Sequence, residues 1–143
     1  MSSPTFDGRP NIFPAICYKD APAIIDWLVS VFGFEKQFVV PGPVGTIAHA
    51  QLKFGAGVIM LGSSKPGEIG LKSPSETGGV TQTLYIYIHN IDSYYEMVRD
   101  AGAEILIGLR DTDYGSREFG VKDPEGQVWY FGTYYPAGPV SQA

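Results

Sequence analysis

Apolar positions along this chain switch between a period of two and a period near three and a half, and the switches come in the same order twice. Ile12 to Tyr18 is a short apolar run that reads as a strand. Asp20 follows as a helix cap, Pro22 sits in the first turn, and Ile24, Trp27, Leu28, Val31 and Phe32 recur at helical spacing until Gly33 stops the pattern. Glu35 to Val40, Thr46 to Phe54 and Val58 to Leu61 then read as strands, separated by Pro41-Gly42-Pro43 and Gly55-Ala56-Gly57. After a Ser-, Pro- and Gly-rich stretch the order begins again. Gln82 to Ile88 alternates as a strand, Asn90 caps a helix marked by Tyr94, Met97, Val98 and Ala101, and Gly102 ends it. Glu104 to Leu109 is a further strand. Arg117 to Lys122 and Gln127 to Tyr135, joined by the turn Asp123-Pro124-Glu125-Gly126, form a closing β-hairpin.

Laid together, the halves match Asp20 with Asn90, Gly33 with Gly102, Glu35 with Glu104, and KFGAGVIMLG with KDPEGQVWYFG, at an offset drifting between 69 and 70 residues. Few residues are identical, so the repeat rests on the order of elements and caps. The division predicted is a flexible arm over residues 1–11, a βαβββ module over 12–62, a linker loop over 63–79, a second βαβββ module over 80–136 and a tail over 137–143. The fold class is α+β.

Composition narrows the partners. The chain has 143 residues, 44% hydrophobic and 17% charged, which fits a globular, soluble protein of one domain or two small modules. A net charge of −5 without a Lys/Arg cluster argues against nucleic acid and suits a neutral or cationic small ligand. Cys17 is the only cysteine, so no intrachain disulfide framework forms. No apolar run reaches membrane-spanning length and the first residues lack a signal-peptide core; the compartment expected is the cytoplasm.

The run Tyr114-Gly115-Ser116-Arg117, followed by Asp123-Pro124-Glu125-Gly126 and Trp129, resembles the closing hairpin of the glyoxalase, bleomycin-resistance and extradiol dioxygenase (vicinal oxygen chelate) superfamily. With the repeat, the resemblance extends from about Ile12 to Tyr135. It implies two βαβββ modules whose curved mixed sheets enclose a small-molecule pocket, often completed in a homodimer. In metal-using relatives four side chains converge on one divalent ion, and carrying those positions over by strand and turn landmarks gives Phe13, Met60, Thr83 and Tyr130. None is a good ligand for a hard ion, and a shift of one residue brings in no carboxylate or imidazole. The expectation is therefore no metal and no cofactor.

Strand parity supplies the pocket lining. If Leu84, Ile86 and Ile88 pack under the second helix, Thr83, Tyr85 and Tyr87 face the other way, with Phe13, Met60 and Tyr130. Ala48, Ala50 and Leu52 toward the first helix would turn His49 and Gln51 to the same side, and Glu118 is the repeat counterpart of His49. The predicted ligand-binding set is thus Phe13, His49, Gln51, Met60, Thr83, Tyr85, Tyr87, Glu118 and Tyr130. His49 and Glu118 are the candidate acid–base pair, although polar pocket lining is the commoner role for such residues. Arg117 and Asp123 are expected to hold the hairpin together by a charge-assisted bond. Three readings stay open. One is a protein that sequesters an aromatic or drug-like molecule without metal; the second is a lyase, isomerase or dioxygenase with a displaced metal site or metal-free acid–base chemistry; the third is a structural or interaction domain with no ligand, its aromatic residues being ordinary core packing.

Overall fold

The computed structural model describes residues 2–65 and 70–136. Met1, residues 66–69 of the expected linker and the expected tail, residues 137–143, lie outside the described residues. The chain divides into two compact units, Met1–Leu71 and Lys72–Ala143. Each has the order strand, helix and three strands.

In the first module, β1 (Ala15–Tyr18) leads into α1 (Ala21–Trp27), and β2 (Glu35–Pro41), β3 (Ile47–Phe54) and β4 (Gly57–Ser63) follow. The four strands form one sheet in the order β1-β4-β3-β2, with β1 parallel to β4 and the other pairs antiparallel. Asp20 caps α1 as expected, its carboxylate accepting from the Ala23 N–H at 3.3 Å. The helix does not run unchanged to Gly33: Leu28–Phe32 widens into a π-helical turn. The N–H groups of Gly33 and Phe34 both reach back to the Leu28 carbonyl, and Gly33 does so at φ 90°, a conformation a side chain would resist.

The second module repeats this plan. A short helix the sequence did not suggest, α2 (Pro74–Thr77), precedes β5 (Leu84–Tyr87), α3 (Ile91–Asp100), β6 (Glu104–Asp111), β7 (Arg117–Lys122) and β8 (Val128–Gly132). The sheet order is β5-β8-β7-β6, with β5 parallel to β8. Asn90 stands at the start of α3 as expected, but its amide donates to the Ser93 hydroxyl rather than capping a backbone N–H.

Each core lies between a helix and one face of its sheet. Ile24, Ile25, Leu28 and Phe32 meet the buried alternates Ile16, Ala50, Leu52, Ile59 and Leu61. Tyr94 and Val98 meet Phe119, Val121, Trp129 and Phe131. Phe119 stacks on Phe131 with ring centres 5.0 Å apart, and Tyr94 packs against both. Burying one such side chain contributes about 1.5–3 kcal/mol, so these rows fix the strand parity.

Two local expectations change. Arg117 does not pair with Asp123; its guanidinium donates to Asp92 at the start of α3 and to Asp111 at the end of β6. Asp123 instead serves its own turn, accepting from the N–H groups of Glu125 and Gln127 and, through its other oxygen, from the Trp129 indole. Ala48 does not face the helix either. A bulge in β3 opposite Val40 and Pro41 leaves Ile47 and Ala50 both buried and puts Ala48 on the same side as His49.

Candidate functional site

The sheet faces turned away from the helices carry the candidate residues, and strand register places them in a grid. In module 1, Met60 of β4 pairs with Ala15 of β1 and with Gln51 of β3. Two residues along, Cys17 pairs with Gly62, and His49 lies one step beyond the Ala50–Leu61 pair on the other side of that glycine. In module 2 the same grid reads Tyr85, Tyr130 and Gly120 in one row, and Tyr87, Gly132 and Glu118 in the next. Met60 and Tyr130, Gln51 and Gly120, and Gly62 and Gly132 therefore occupy matching places.

Around the second grid the protein has a cavity of about 530 Å³ lined by Thr83, Tyr85, Glu118 and Tyr130 from the predicted set, together with Ile107, Arg110, Tyr114, Tyr134 and Pro136. Glycines make room for it. A Cβ on Gly120 would sit 2.9 Å from the Tyr130 ring, and one on Gly132 would sit 2.6 Å from Glu118 Cγ and 2.7 Å from the Tyr85 hydroxyl oxygen. Tyr130 and Glu118 thus lean over backbone that has no side chain of its own.

The polar groups here are tied to one another. Tyr114 donates its hydroxyl to Glu118 Oε1 at 2.8 Å, and this bond to a carboxylate raises the Tyr114 pKa. Tyr85 donates to the Tyr134 carbonyl at 2.6 Å, and partial burial raises its pKa as well. Arg110 pairs with Glu118 across the β6–β7 ladder. One carboxylate, one guanidinium and four phenol rings suit hydrogen bonding and stacking with a planar organic molecule.

Tyr87 does not line this cavity; its ring meets Tyr135 edge-on at 5.0 Å. In module 1, His49 and Met60 share a second cavity, of about 290 Å³, with Cys17, Ser63, Lys65 and Leu71. Gln51 lies beside His49: the imidazole Nε2 donates to Gln51 Oε1 at 2.9 Å, and the Gln51 amide donates to Gln37 Oε1 at 3.0 Å. Phe13 lies apart from both, in a cleft with Phe6, Arg9 and Val58. Among the described residues no three of His, Cys, Asp and Glu come together as a metal site.

Sequence reasoning missed Arg110, Tyr114 and Tyr134. Arg110 reaches the cavity because β6 slips register twice against β7, between Ile105 and Ile107 and between Ile107 and Arg110. Strict alternation could not have placed it. Tyr114 had a usable signal, standing four residues before Glu118 across a tight loop.

Two mixed four-stranded sheets, each with a βαβββ order, define a protein of the vicinal oxygen chelate class. The chain belongs to the Glyoxalase/Bleomycin resistance protein/Dioxygenase superfamily, whose family model matches residues 13–131. It is 32% identical over 126 residues to the uncharacterized protein Mb0911c of Mycobacterium bovis, covering 87% of this chain and 83% of that one. TioX from Micromonospora sp. ML1 superposes with a TM-score of 0.68 at 28% identity, over 87% of this chain and 100% of the other. A glyoxalase/bleomycin resistance protein/dioxygenase from Nocardioides superposes with a TM-score of 0.69 at 20% identity, over 96% and 92%; at that identity the likeness concerns the fold.

Proposed function

We propose that this protein binds and sequesters a small, planar, aromatic or drug-like molecule, with no divalent metal in the site. The observation that carries the reading is the tyrosine-walled cavity of module 2, where Tyr85 and Tyr130 offer stacking faces and Glu118 an acceptor. The chemistry of Phe13, Met60, Thr83 and Tyr130 supports it. Apolar, thioether and neutral hydroxyl groups do not fit the hard ion that metal-using members of the superfamily hold, so no step of a reaction is derived through one. On module 1, Phe13, His49, Gln51 and Met60 remain ligand-contact candidates by parity, as does Tyr87 on module 2.

The rival reading is an enzyme of the same superfamily working through His49 and Glu118. What favours it is the Tyr114 hydroxyl held on the Glu118 carboxylate, a proton donor beside a potential base. The working form proposed is a cytoplasmic homodimer. Phe38 on the outer strand β2 and Leu106 on the outer strand β6 are 53% and 45% exposed, and such edges are commonly covered. Among the described residues no helix is long and apolar enough to cross a membrane.

Thermal-shift screening of aromatic and cationic natural products tests the proposal. A ligand should raise the melting temperature and be recovered with its mass unchanged, and Tyr130→Ala should weaken its binding by roughly 1–3 kcal/mol. Chemical conversion of the ligand favours the enzyme. Unchanged affinity in Tyr130→Ala overturns the site.

A further inference from the structure

The face of the second sheet that is turned from its helix reads as rows across three strands. In one row Gly120 of β7 faces Tyr130 of β8 and Ile107 of β6; in the next, Glu118 faces Gly132 and Arg110. Glu118 is drawn toward β8. Its Cγ and Oε2 lie 2.6 and 3.1 Å from the point where a Gly132 Cβ would stand, and the Tyr114 hydroxyl donates to its Oε1 at 2.8 Å. Arg110 stands on the opposite flank of β7, lines the same cavity and, among the described residues, has neither a hydrogen bond nor an ion pair. The other arginines each hold a carboxylate: Arg9 that of Asp7, Arg99 that of Asp100, and Arg117 those of Asp92 and Asp111. The Arg110 charge is felt inside the cavity. The bond to Glu118 raises the Tyr114 pKa, and the guanidinium opposes that rise.

We propose that Arg110 anchors a carboxylate, which makes the ligand of the module-2 cavity an aromatic carboxylic acid with its ring against Tyr130. This rests on the binding function proposed for that cavity and adds the charge of what binds. The Tyr85 hydroxyl is spent on the Tyr134 carbonyl and the Tyr114 hydroxyl on Glu118. The hydroxyls of Tyr130 and Thr83 can donate or accept, whereas a guanidinium only donates, through a planar fork that matches both oxygens of a carboxylate. The strongest donor of the cavity therefore asks for an acceptor, and the one carboxylate beside it leans the other way. A cationic ligand would meet the like charge of Arg110 and a carboxylate that already holds a proton donor. Spacing agrees with an acid. The Tyr130 ring covers Gly120, where a Cβ would lie 2.9 Å from it, and the Arg110 row is two residues further along the sheet, about 6.6 Å. An aromatic ring bearing a carboxylate, met by a long arginine side chain, spans that distance. The net charge of −5 does not oppose this, because charges spread over the surface are screened within about 8 Å at physiological salt and contact chemistry decides.

Isothermal titration calorimetry of the full chain with 2-naphthoate, 2-naphthamide and 2-naphthylmethylamine, one ring carrying three different charges, provides the test. The acid should bind about tenfold or more tighter than the amide, as a charge-assisted, two-pronged contact allows, and the amine should bind weakest. Arg110→Gln should bring the acid down to the affinity of the amide and leave the amide unchanged, while Tyr130→Ala should weaken both. Arg110 is exposed, so the Gln variant is expected to keep the wild-type melting temperature. An amide or amine that binds wild type as tightly as the acid, and is weakened by Tyr130→Ala, overturns the carboxylate anchor and leaves the aromatic cavity standing. A preference for the acid that survives Arg110→Gln overturns the role of Arg110. Binding of none of the three at millimolar concentration overturns the anchor and the cavity together.

Discussion

The two modules share a backbone and differ in what they place on it. Met60 and Tyr130 occupy matching positions between matching neighbours, as do Gly62 and Gly132. Around those points module 1 has Ala15, Cys17, His49 and Gln51, where module 2 has Tyr85, Tyr87, Glu118 and Gly120. The first set is compact and soft, and the second is bulky, aromatic and oxygen-rich. Conservation of the glycine between two rich neighbours shows what the repeat preserves: the central strand gives up its side chain so that the flanking strands can fill the face. The repeat fixes where chemistry can stand and leaves open which chemistry it is.

The closing hairpins differ too. Trp129 is fully buried and its indole donates to Asp123, whereas the matching residue of module 1 is Ile59, which has no polar atom to satisfy. The largest effect expected is therefore from Trp129→Ala, which should lower unfolding free energy by about 3–5 kcal/mol from lost packing. Loss of the indole–carboxylate bond to Asp123 adds to this, at about 1.5–3 kcal/mol for a hydrogen bond to a charged group, so Ile59→Ala should cost visibly less. Urea denaturation followed by circular dichroism checks this. Equal losses would mean that the hairpins are energetically equivalent and the contrast is only one of shape.

An intermediate effect is expected at the paired glycines. A methyl at Gly132 would press on Glu118 Cγ and the Tyr85 hydroxyl, while one at Gly62 meets a backbone oxygen at 3.2 Å and needs a shift of only a few tenths of an ångström. Gly132→Ala should cost about 1–3 kcal/mol, and Gly62→Ala less than that range. Melting temperatures of the two variants sharpen the comparison, and a costlier Gly62→Ala would show that the module-1 face is the tighter of the two.

The smallest effect at neutral pH sits under the module-2 sheet. Tyr94 stands where module 1 has Ile24, and burial against Phe119 and Phe131 raises its pKa above the usual 10.0. The fold favours the neutral phenol, so this contribution is fully present below pH about 10 and falls away as pH rises beyond it. Tyr94→Phe should change stability little at neutral pH and flatten the alkaline decline. An alkaline limb identical in the two proteins would remove Tyr94 as its cause.

Much of this was readable from the residues in order. Phe119, Val121, Ala50 and Leu52 are buried as alternation predicts, because reversing a strand would expose every one of them, and the half-buried Leu84 and Ile86 stand in register with the buried Trp129 and Phe131. The turn residues and helix caps set the element order, and the pairing of Met60 with Tyr130 and of His49 with Glu118 followed from aligning those signals. Alternation failed wherever a strand was bulged. Ala48 turned over, Arg110 entered the cavity, and both changes came from single-residue slips that leave no mark in composition.

The sequence by itself determined the class of fold, the repeat, and which side of each central strand is turned from its helix. These depend on short-range periodicity and on burial, which act on a residue and its near neighbours. Only the tertiary structure decided which residues of that face share a cavity: Tyr114 and Tyr134 with Tyr130, Tyr87 drawn off to Tyr135, and Cys17 with His49 and Met60. The physical reason is that such groupings depend on register between strands far apart in sequence. Register is set by bulges and glycines, where backbone geometry overrides the identity of the side chain.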